Sequence, residues 1–335
     1  MLFSIIIPVF NERKYIRKCI DLILPQKCCD YEIILVDDGS TDGTSDICDD
    51  YAQEYERVRV IHKPNGGLVS ARNAGIKVAN GEYILYVDGD DRVSPEWLKT
   101  IYTCITSAPQ KPDLVVFGSS SQQADHLGIH HINCKEGYYD RQRLEKEIFP
   151  RVISDPELYI EDAVFLPAPW NKAYKKELLE AHYCRDEQIC LGEDTAFAFE
   201  CVLCANSMVV TKDILYFYNK MNTASMTSKY DPDCIRKRLR LFQYVEERLG
   251  DTDPVIMRQL DDFYASRIIC DLVNICLYND DMRYAANHLR KELRSTQILK
   301  YVHVSNIPIR AKIIIIMLKM GFCRTISLLL RRFYT

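Results

Sequence analysis

Several devices are missing from this chain of 335 residues. It has no G-x-G-x-x-G and no G-x-x-x-x-G-K-[ST], so a dinucleotide-dependent oxidoreductase and a P-loop NTPase both lack their phosphate cradle. No uncharged run approaches the ~18 residues of a membrane-spanning helix. Internal repeats and low-complexity tracts are absent, and no segment reads as disordered. A formal net charge of −4 gives no general basis for nucleic-acid binding. Leu2-Phe3-Ser4-Ile5 opens a strand with no basic, apolar leader before it, so the chain reads as having no secretory signal. Cysteine, by contrast, is plentiful. Its fourteen copies are scattered, and two (Cys28, Cys29) are adjacent, which fits reduced cytosolic thiols better than a disulfide framework.

The one metal-like cysteine spacing is Cys201-Val202-Leu203-Cys204, for which Cys184 and Cys190 are the nearest further ligands. It lies in an apolar run that reads as a buried helix, where such cysteines act as small core residues. His126, His130 and His131 read as surface residues. Apolar content of 47% is ample for a core, and the length suits an α/β core of about 220 residues with a helical appendage.

Four short apolar strands each run into a polar loop marked by Gly, Pro or Asp. They are Ser4–Val9, Glu32–Val36, Val58–Ile61 and Ile84–Val87. The first three loops lead into helical patterns over 13–24, 42–55 and 67–79. Strands alternating with helices predict a parallel sheet whose ligands sit beyond the carboxyl ends of the strands. The fourth strand ends in Asp88-Gly89-Asp90-Asp91. Three carboxylates in four residues repel one another and persist only if solvated, used as caps, or neutralised by a cation. Ser94-Pro95-Glu96-Trp97 already supplies cap signals for the next helix, which leaves a solvated loop or a hard-metal site. Asp-x-Asp suits Mg²⁺ or Mn²⁺ whose remaining ligands are waters and phosphates.

Other residues admit two readings each. Phe10, at the first strand end, can stack on a base or sit in the core. Arg72 can pair with a phosphate or decorate a helix surface. Glu193 and Asp194 can complement a helix dipole or carry chemistry. Trp170, beside Asn171 and Lys172, can be a sugar platform or a buried anchor.

Taken together these motifs resemble the family 2 glycosyltransferases. The likeness is specific from about Leu2 to Val93 and looser to about Thr227. It implies an α/β GT-A fold, Rossmann-like and mostly parallel, and inverting transfer of a sugar from a nucleotide-sugar donor, in the manner of bacterial capsule, exopolysaccharide and lipopolysaccharide enzymes. It further implies donor contacts from Pro8, Phe10, Glu12, Asp38, Asn65, Arg72, Asp88 and Asp90. Pro8 and Phe10 take the base, Glu12 the ribose, and Asp38 the pyrimidine ring N–H, which favours UDP-sugars. Arg72 lies in the pattern Gly67 to Gly75. Asp90, with Asp88, would hold Mn²⁺ or Mg²⁺. Asp194 would be the general base, and Glu193, Trp170, Asn171 and Lys172 would meet the acceptor, a glycan carried on polyprenyl diphosphate. Lys220 and Ser225 fall in the segment that closes over the diphosphate, although relatives carry Arg or His near Lys220.

The domain expectation is a transferase domain over 1–228, split into a nucleotide-sugar half (1–110) and an acceptor half (111–228), followed by helices over 229–335. From Ile307 to Thr335 the chain carries Arg310, Lys312, Lys319, Arg324, Arg331 and Arg332 and no acid. This pattern fits basic, apolar helices lying at the inner leaflet, and hence a cytoplasmic protein held peripherally at the membrane. A nucleotidyltransferase of related fold is the rival enzyme, but it lacks an early Gly-rich triphosphate loop. A non-catalytic sugar-binding or scaffold protein is the rival outside enzymology, and the intact Asp38, Asp88, Asp90 and Asp194 weigh against it.

Overall fold

Strand β1 (Phe3–Val9) is buried along its whole length, as expected of a strand covered on both faces. It pairs in parallel with β2 (Tyr31–Asp37) on one side and β4 (Tyr83–Tyr86) on the other, and β3 (Val58–His62) extends the sheet beyond β2. The computed structural model describes residues 1–123, 126–154, 163–222, 231–249, 253–278 and 281–334. Their remaining strands are β5 (Arg92–Val93), β6 (Leu114–Gln123), β7 (His126–His130), β8 (Gly137–Asp140), β9 (Lys172–Lys175) and β10 (Ser207–Asn219). The helices are α1 (Ile16–Ile23), α2 (Thr44–Glu54), α3 (Gly67–Val78), α4 (Trp97–Thr106), a single turn α5 (Arg141–Arg143), α6 (Lys176–His182), α7 (Glu193–Cys204), α8 (Cys234–Leu249), α9 (Pro254–Tyr278), α10 (Met282–Thr296), α11 (Ile309–Lys319) and α12 (Cys323–Tyr334).

The sheet runs β3-β2-β1-β4-β9-β6-β10-β5, with β7 on β6 and β8 on β10. β3, β2, β1 and β4 are parallel, β9 is antiparallel to both its neighbours, and β6 and β10 are parallel to each other. The fold is therefore α/β, with a parallel half and a mixed half. α1 turns Ile16, Cys19, Ile20 and Ile23 inward at helical spacing, each apolar side chain contributing roughly 1.5–3 kcal/mol. α3 packs against β1 so closely that a Cβ on Gly75 would lie 2.5 Å from Ile6 Cγ2, a contact only glycine permits.

The chain divides into two compact units: Met1–Phe149 with Val164–Thr223, and Pro150–Ala163 with Ala224–Thr335. Pro150 to Ser154 thus group with the C-terminal helices. The backbone N–H of Ile153 donates to Gln259 of α9. The expected boundary at 228 lies outside the described residues. In the second unit α8, α10, α11 and α12 all pack on α9, whose buried positions run round its circumference. Its core includes Phe242, Phe263, Tyr264, Leu272 and Ile315.

Candidate active site

The carboxyl ends of β1 to β4 deliver Phe10, Asp38, Lys63 and the Asp88–Asp91 loop to one edge of the first unit. Neighbouring loops are tied directly. Asn11, at φ 59°, accepts from Thr41 N–H, and its own N–H donates to Ser40 Oγ. Phe10 is 47% exposed, so it is not the core residue that composition alone allows. Pro8 is buried just before it, and Asn65 is exposed in the loop after β3.

Asp38 is buried and heavily used. Its Oδ1 accepts from Lys63 Nζ and Gly66 N–H, and its Oδ2 accepts from Gly67 N–H at 2.7 Å. The N–H groups of Gly66 and Gly67 are not left free for a ligand. Instead, Asp38 takes both and caps the start of α3, with Gly67 at φ +85° making the turn. Oδ2 retains one lone-pair direction for a further donor. Asp37, one residue earlier, is purely structural: it accepts from Ser40 N–H, Ser45 Oγ and His62 Nδ1.

Arg72 departs most from expectation. It is neither a surface residue nor aimed at open solvent, with only 1% of its side chain exposed. Nη1 donates to Asp194 Oδ1 at 2.7 Å, and Nη2 lies 3.4 Å from Asp88 Oδ1. The guanidinium lies over the rings of Tyr86 and Phe197. Burial opposes its charge, but Asp194, Asp88 and Glu193 outweigh burial and hold the guanidinium firmly protonated. One cation thus joins the acid loop after β4 to the first turn of α7. Asp194 and Glu193, both partly exposed, open that helix behind Gly192.

The acid loop is anchored from behind. Asp91 is buried and accepts from Tyr216 Oη and Asn219 N–H, while Tyr216 Oη accepts from Asp88 N–H. Asn222 donates to Asp90 Oδ2 at 2.8 Å. Sequence reasoning passed over Tyr216 and gave Asn219 and Asn222 no role of their own within the segment expected to close over the diphosphate, because nothing local marks a tyrosine or asparagine in or just past β10 as a partner for a loop more than a hundred residues earlier. Burial pushes the Asp88 carboxyl up to about 7 even though Arg72 pulls the other way, with Asp194 and Asp90 adding to the rise. Glu12 is pushed up to about 8 by burial and then by Asp90, Asp42 and Asp88. Negative charge is therefore crowded here beyond what Arg72 offsets, and all the donors are oxygens. Among the described residues no three His, Cys, Asp or Glu side chains form a closed metal cage. Asp88 and Asp90 fit instead the open arrangement in which a hard divalent ion completes its shell from water and substrate phosphates.

The family resemblance assigns Trp170, Asn171 and Lys172 to the acceptor. All three are buried. Trp170 stacks on Tyr216 at 4.4 Å between ring centroids and so backs the ring that anchors the acid loop. Lys172 Nζ donates to Leu166 O, Ala168 O and Asn171 Oδ1, pinning its own loop, and burial pushes its pKa down to about 7. Lys220 lies in the turn just after β10, and Ser225 lies outside the described residues. His130 meets Ser119 Oγ at 3.0 Å on the β6–β7 pair, and Cys201 is buried in α7 with its Sγ toward His182 O.

Comparison with known proteins bears on the family and the fold. A model of glycosyl transferase family 2 matches residues 4–164. A Bacillus subtilis protein named Uncharacterized glycosyltransferase EpsJ is 35% identical over 237 residues, which is 69% of this chain and 64% of the relative's own length. Glycosyltransferase GlyG of Streptococcus pneumoniae serotype 4 is 32% identical over 243 residues, 72% of this chain and 78% of the relative. A crystal structure of S. aureus TarS 1-349 in complex with UDP-GlcNAc matches with a TM-score of 0.70 at 21% identity, covering 99% of this chain and 92% of that one. At that identity the structural likeness speaks to the fold, the GT-A arrangement of a nucleotide-binding sheet. The chain belongs to glycosyl transferase family 2.

Proposed function

We propose that this protein transfers a sugar from a UDP-sugar to a hydroxyl of a glycan acceptor carried on a lipid, with inversion at the anomeric carbon, in the synthesis of a cell-surface polysaccharide. One observation carries the reading: a single buried guanidinium touches both Asp194 and Asp88. An inverting transfer is a single displacement that needs one base for the incoming hydroxyl and, on the other side of the sugar, a site for the departing diphosphate. Arg72 brings the candidate base and a candidate donor-site acid to one place, its contact with Asp194 spanning 122 residues of chain.

In this reading Phe10 lies against the base, and the free lone pair of Asp38 accepts a ring N–H. Uracil offers that donor and cytosine does not. Asp194, which accepts from Arg72 in the first turn of α7, takes the proton from the acceptor hydroxyl. Glu193, its neighbour in the same turn, orients the acceptor or the donor sugar. Asp90 and Asp88 would hold Mn²⁺ or Mg²⁺, and the chemistry such an ion supplies is charge neutralisation on a leaving diphosphate. Trp170, Asn171 and Lys172 act from behind, keeping Tyr216 and the acid loop in register. The crystal structure of S. aureus TarS 1-349 in complex with UDP-GlcNAc supports a uridine donor by analogy of fold.

The test is UDP release from a panel of UDP-sugars, with and without Mn²⁺, by the wild type and Asp90→Ala. Turnover that needs the ion and vanishes in the variant supports the reading. Turnover of nucleoside triphosphates instead would favour a nucleotidyltransferase, and calorimetry showing no nucleotide-sugar binding would favour a scaffold.

A further inference from the structure

In the second unit, α11 buries Ala311, Ile315 and Leu318 and leaves Ile309, Ile313, Ile316 and Met320 between 41% and 68% exposed. Those four exposed positions, spaced four, three and four apart, fall within roughly 60° of arc on a helix of 3.6 residues per turn. They form one apolar stripe pointing to solvent. Arg310 flanks it on one side, and Lys312 and Lys319 flank it on the other. Past the turn, Phe322, Leu328 and Leu329 are also 43% to 53% exposed, with Arg324 and Arg332 exposed beside them. α10 adds Arg290, Lys291 and Arg294, which line a groove of about 500 Å³ with Asn287 and Ser295. Arg290 reaches the turn itself, with Nη2 3.4 Å from Gly321 O. The acid of that helix next to this cluster, Glu292, is buried against Arg236.

An exposed apolar stripe costs free energy in water unless something covers it. Neither the core nor a spanning role accounts for it: its residues point outward, and among the described residues no helix is long and apolar enough to cross a membrane. The cations bordering the stripe decide what covers it. A second copy would bring the same positive charge to the contact, whereas an anionic bilayer brings acyl chains for the isoleucines and phosphates for the Lys and Arg rims. We propose that α11, the α11–α12 turn and the basic groove of α10 form a docking face for anionic phospholipid, with Ile309, Ile313, Ile316, Met320 and Phe322 entering the interface and Arg290, Lys291 and Arg294 taking headgroup phosphates. This face stands apart from the donor chemistry, and either can fail without the other.

The test is flotation of the full chain with vesicles of phosphatidylcholine alone and of phosphatidylcholine mixed equally with phosphatidylglycerol. The protein floats only with the anionic vesicles, and raising salt from ~0.1 M to ~1 M releases it. Replacing Ile313→Ser and Ile316→Ser lowers partitioning roughly tenfold per side chain. Arg290→Gln and Arg294→Gln lower it roughly fivefold per charge. All four positions are exposed, so circular dichroism and UDP-sugar hydrolysis stay as in the wild type. Equal binding to both vesicles, no binding to either, or variants that float like the wild type would overturn the proposal. So would sedimentation velocity showing that the isoleucine variant turns a dimer into a monomer while vesicle binding is absent, since the face would then belong to a second copy.

Discussion

The two units use buried charge in opposite ways. In the second, each of three acids has a dedicated partner: Arg238 grips Asp271 through two hydrogen bonds at 3.0 and 3.1 Å, Arg236 does the same for Glu292, and Asp261 accepts from His303 and Asn306. In the first, Arg72 is divided between Asp194 and Asp88, while Glu12 and Asp90 crowd the same edge. A fully matched pair gains nothing from a ligand. An under-matched cluster at the open end of a parallel sheet is costly when empty and is relieved when a cation or a proton arrives. The same contrast is visible between adjacent residues: Asp37 spends its carboxylate on its own loop, whereas Asp38 keeps a lone pair free.

The sharpest way to break this comparison is to neutralise one acid of each kind. Asp194→Asn should lower kcat by roughly 10²–10⁴, the usual worth of a general base, while UDP binding measured by calorimetry and thermal stability change little. Asp271→Asn should do the reverse. Leaving Arg238 buried without its partner costs about 3–5 kcal/mol of stability, read from denaturant unfolding, while kcat per folded molecule is unchanged. If Asp194→Asn unfolds the protein without a specific loss of turnover, the under-matched cluster is structural and the contrast fails.

Much of the first half was legible in the sequence because each element announces itself. The strands are apolar runs ending in Gly, Pro or Asp, and the helix expected over 67–79 spans Gly67–Val78. The helix expected from 13 begins at Ile16, because Glu12 O first accepts from Tyr15 N–H in a turn. Long-range contacts were not legible. Nothing in Ser70-Ala71-Arg72-Asn73 says that Arg72 will be sealed beneath Tyr86 and Phe197 and shared with a helix 122 residues on. Trp170 admitted both a sugar-platform and a buried-anchor reading, and the sequence alone did not choose between them. Its stacking on Tyr216 depends on β9 and β10 meeting on either side of β6, which no local pattern encodes. Ile153 and Ser154 likewise join the helical unit through their N–H donors to Gln259, contacts that have no local signature.

Phe10 gives a smaller but cleaner effect. It is exposed, so its removal should cost the fold little, whereas stacking on a base is worth about 1–3 kcal/mol. Phe10→Ala should therefore weaken UDP roughly tenfold to hundredfold by calorimetry, with no shift in the denaturation midpoint. Trp170→Phe should do the opposite, lowering stability while leaving UDP affinity close to wild type. Equal losses of UDP affinity in the two variants would erase the distinction drawn between an open aromatic and a backing one.

His62 gives the smallest effect and tests whether a charge at the edge of the site, once it has its own partners, behaves like those of the second unit. Its Nδ1 lies 2.9 Å from Asp37 Oδ2, and its Nε2 lies 2.9 Å from Asp49 Oδ1. Only the protonated ring can donate to both, so Asp37 first and Asp49 second raise its pKa above the ordinary 6.5. A base whose folded pKa is raised contributes stability that is complete below its unfolded pKa and is lost as pH climbs through the folded value. His62→Gln should accordingly lower the melting temperature more at pH 6 than at pH 8, with the gap closing as the wild-type ring deprotonates. Because His62 is partly exposed the change is modest, and because Asp37 does not serve the donor, UDP affinity should follow wild type across the same range. A melting gap that stays constant with pH would mean the ring is never charged between its two acids, and Asp37 would then lack the charged partner that likens it to the acids of the second unit.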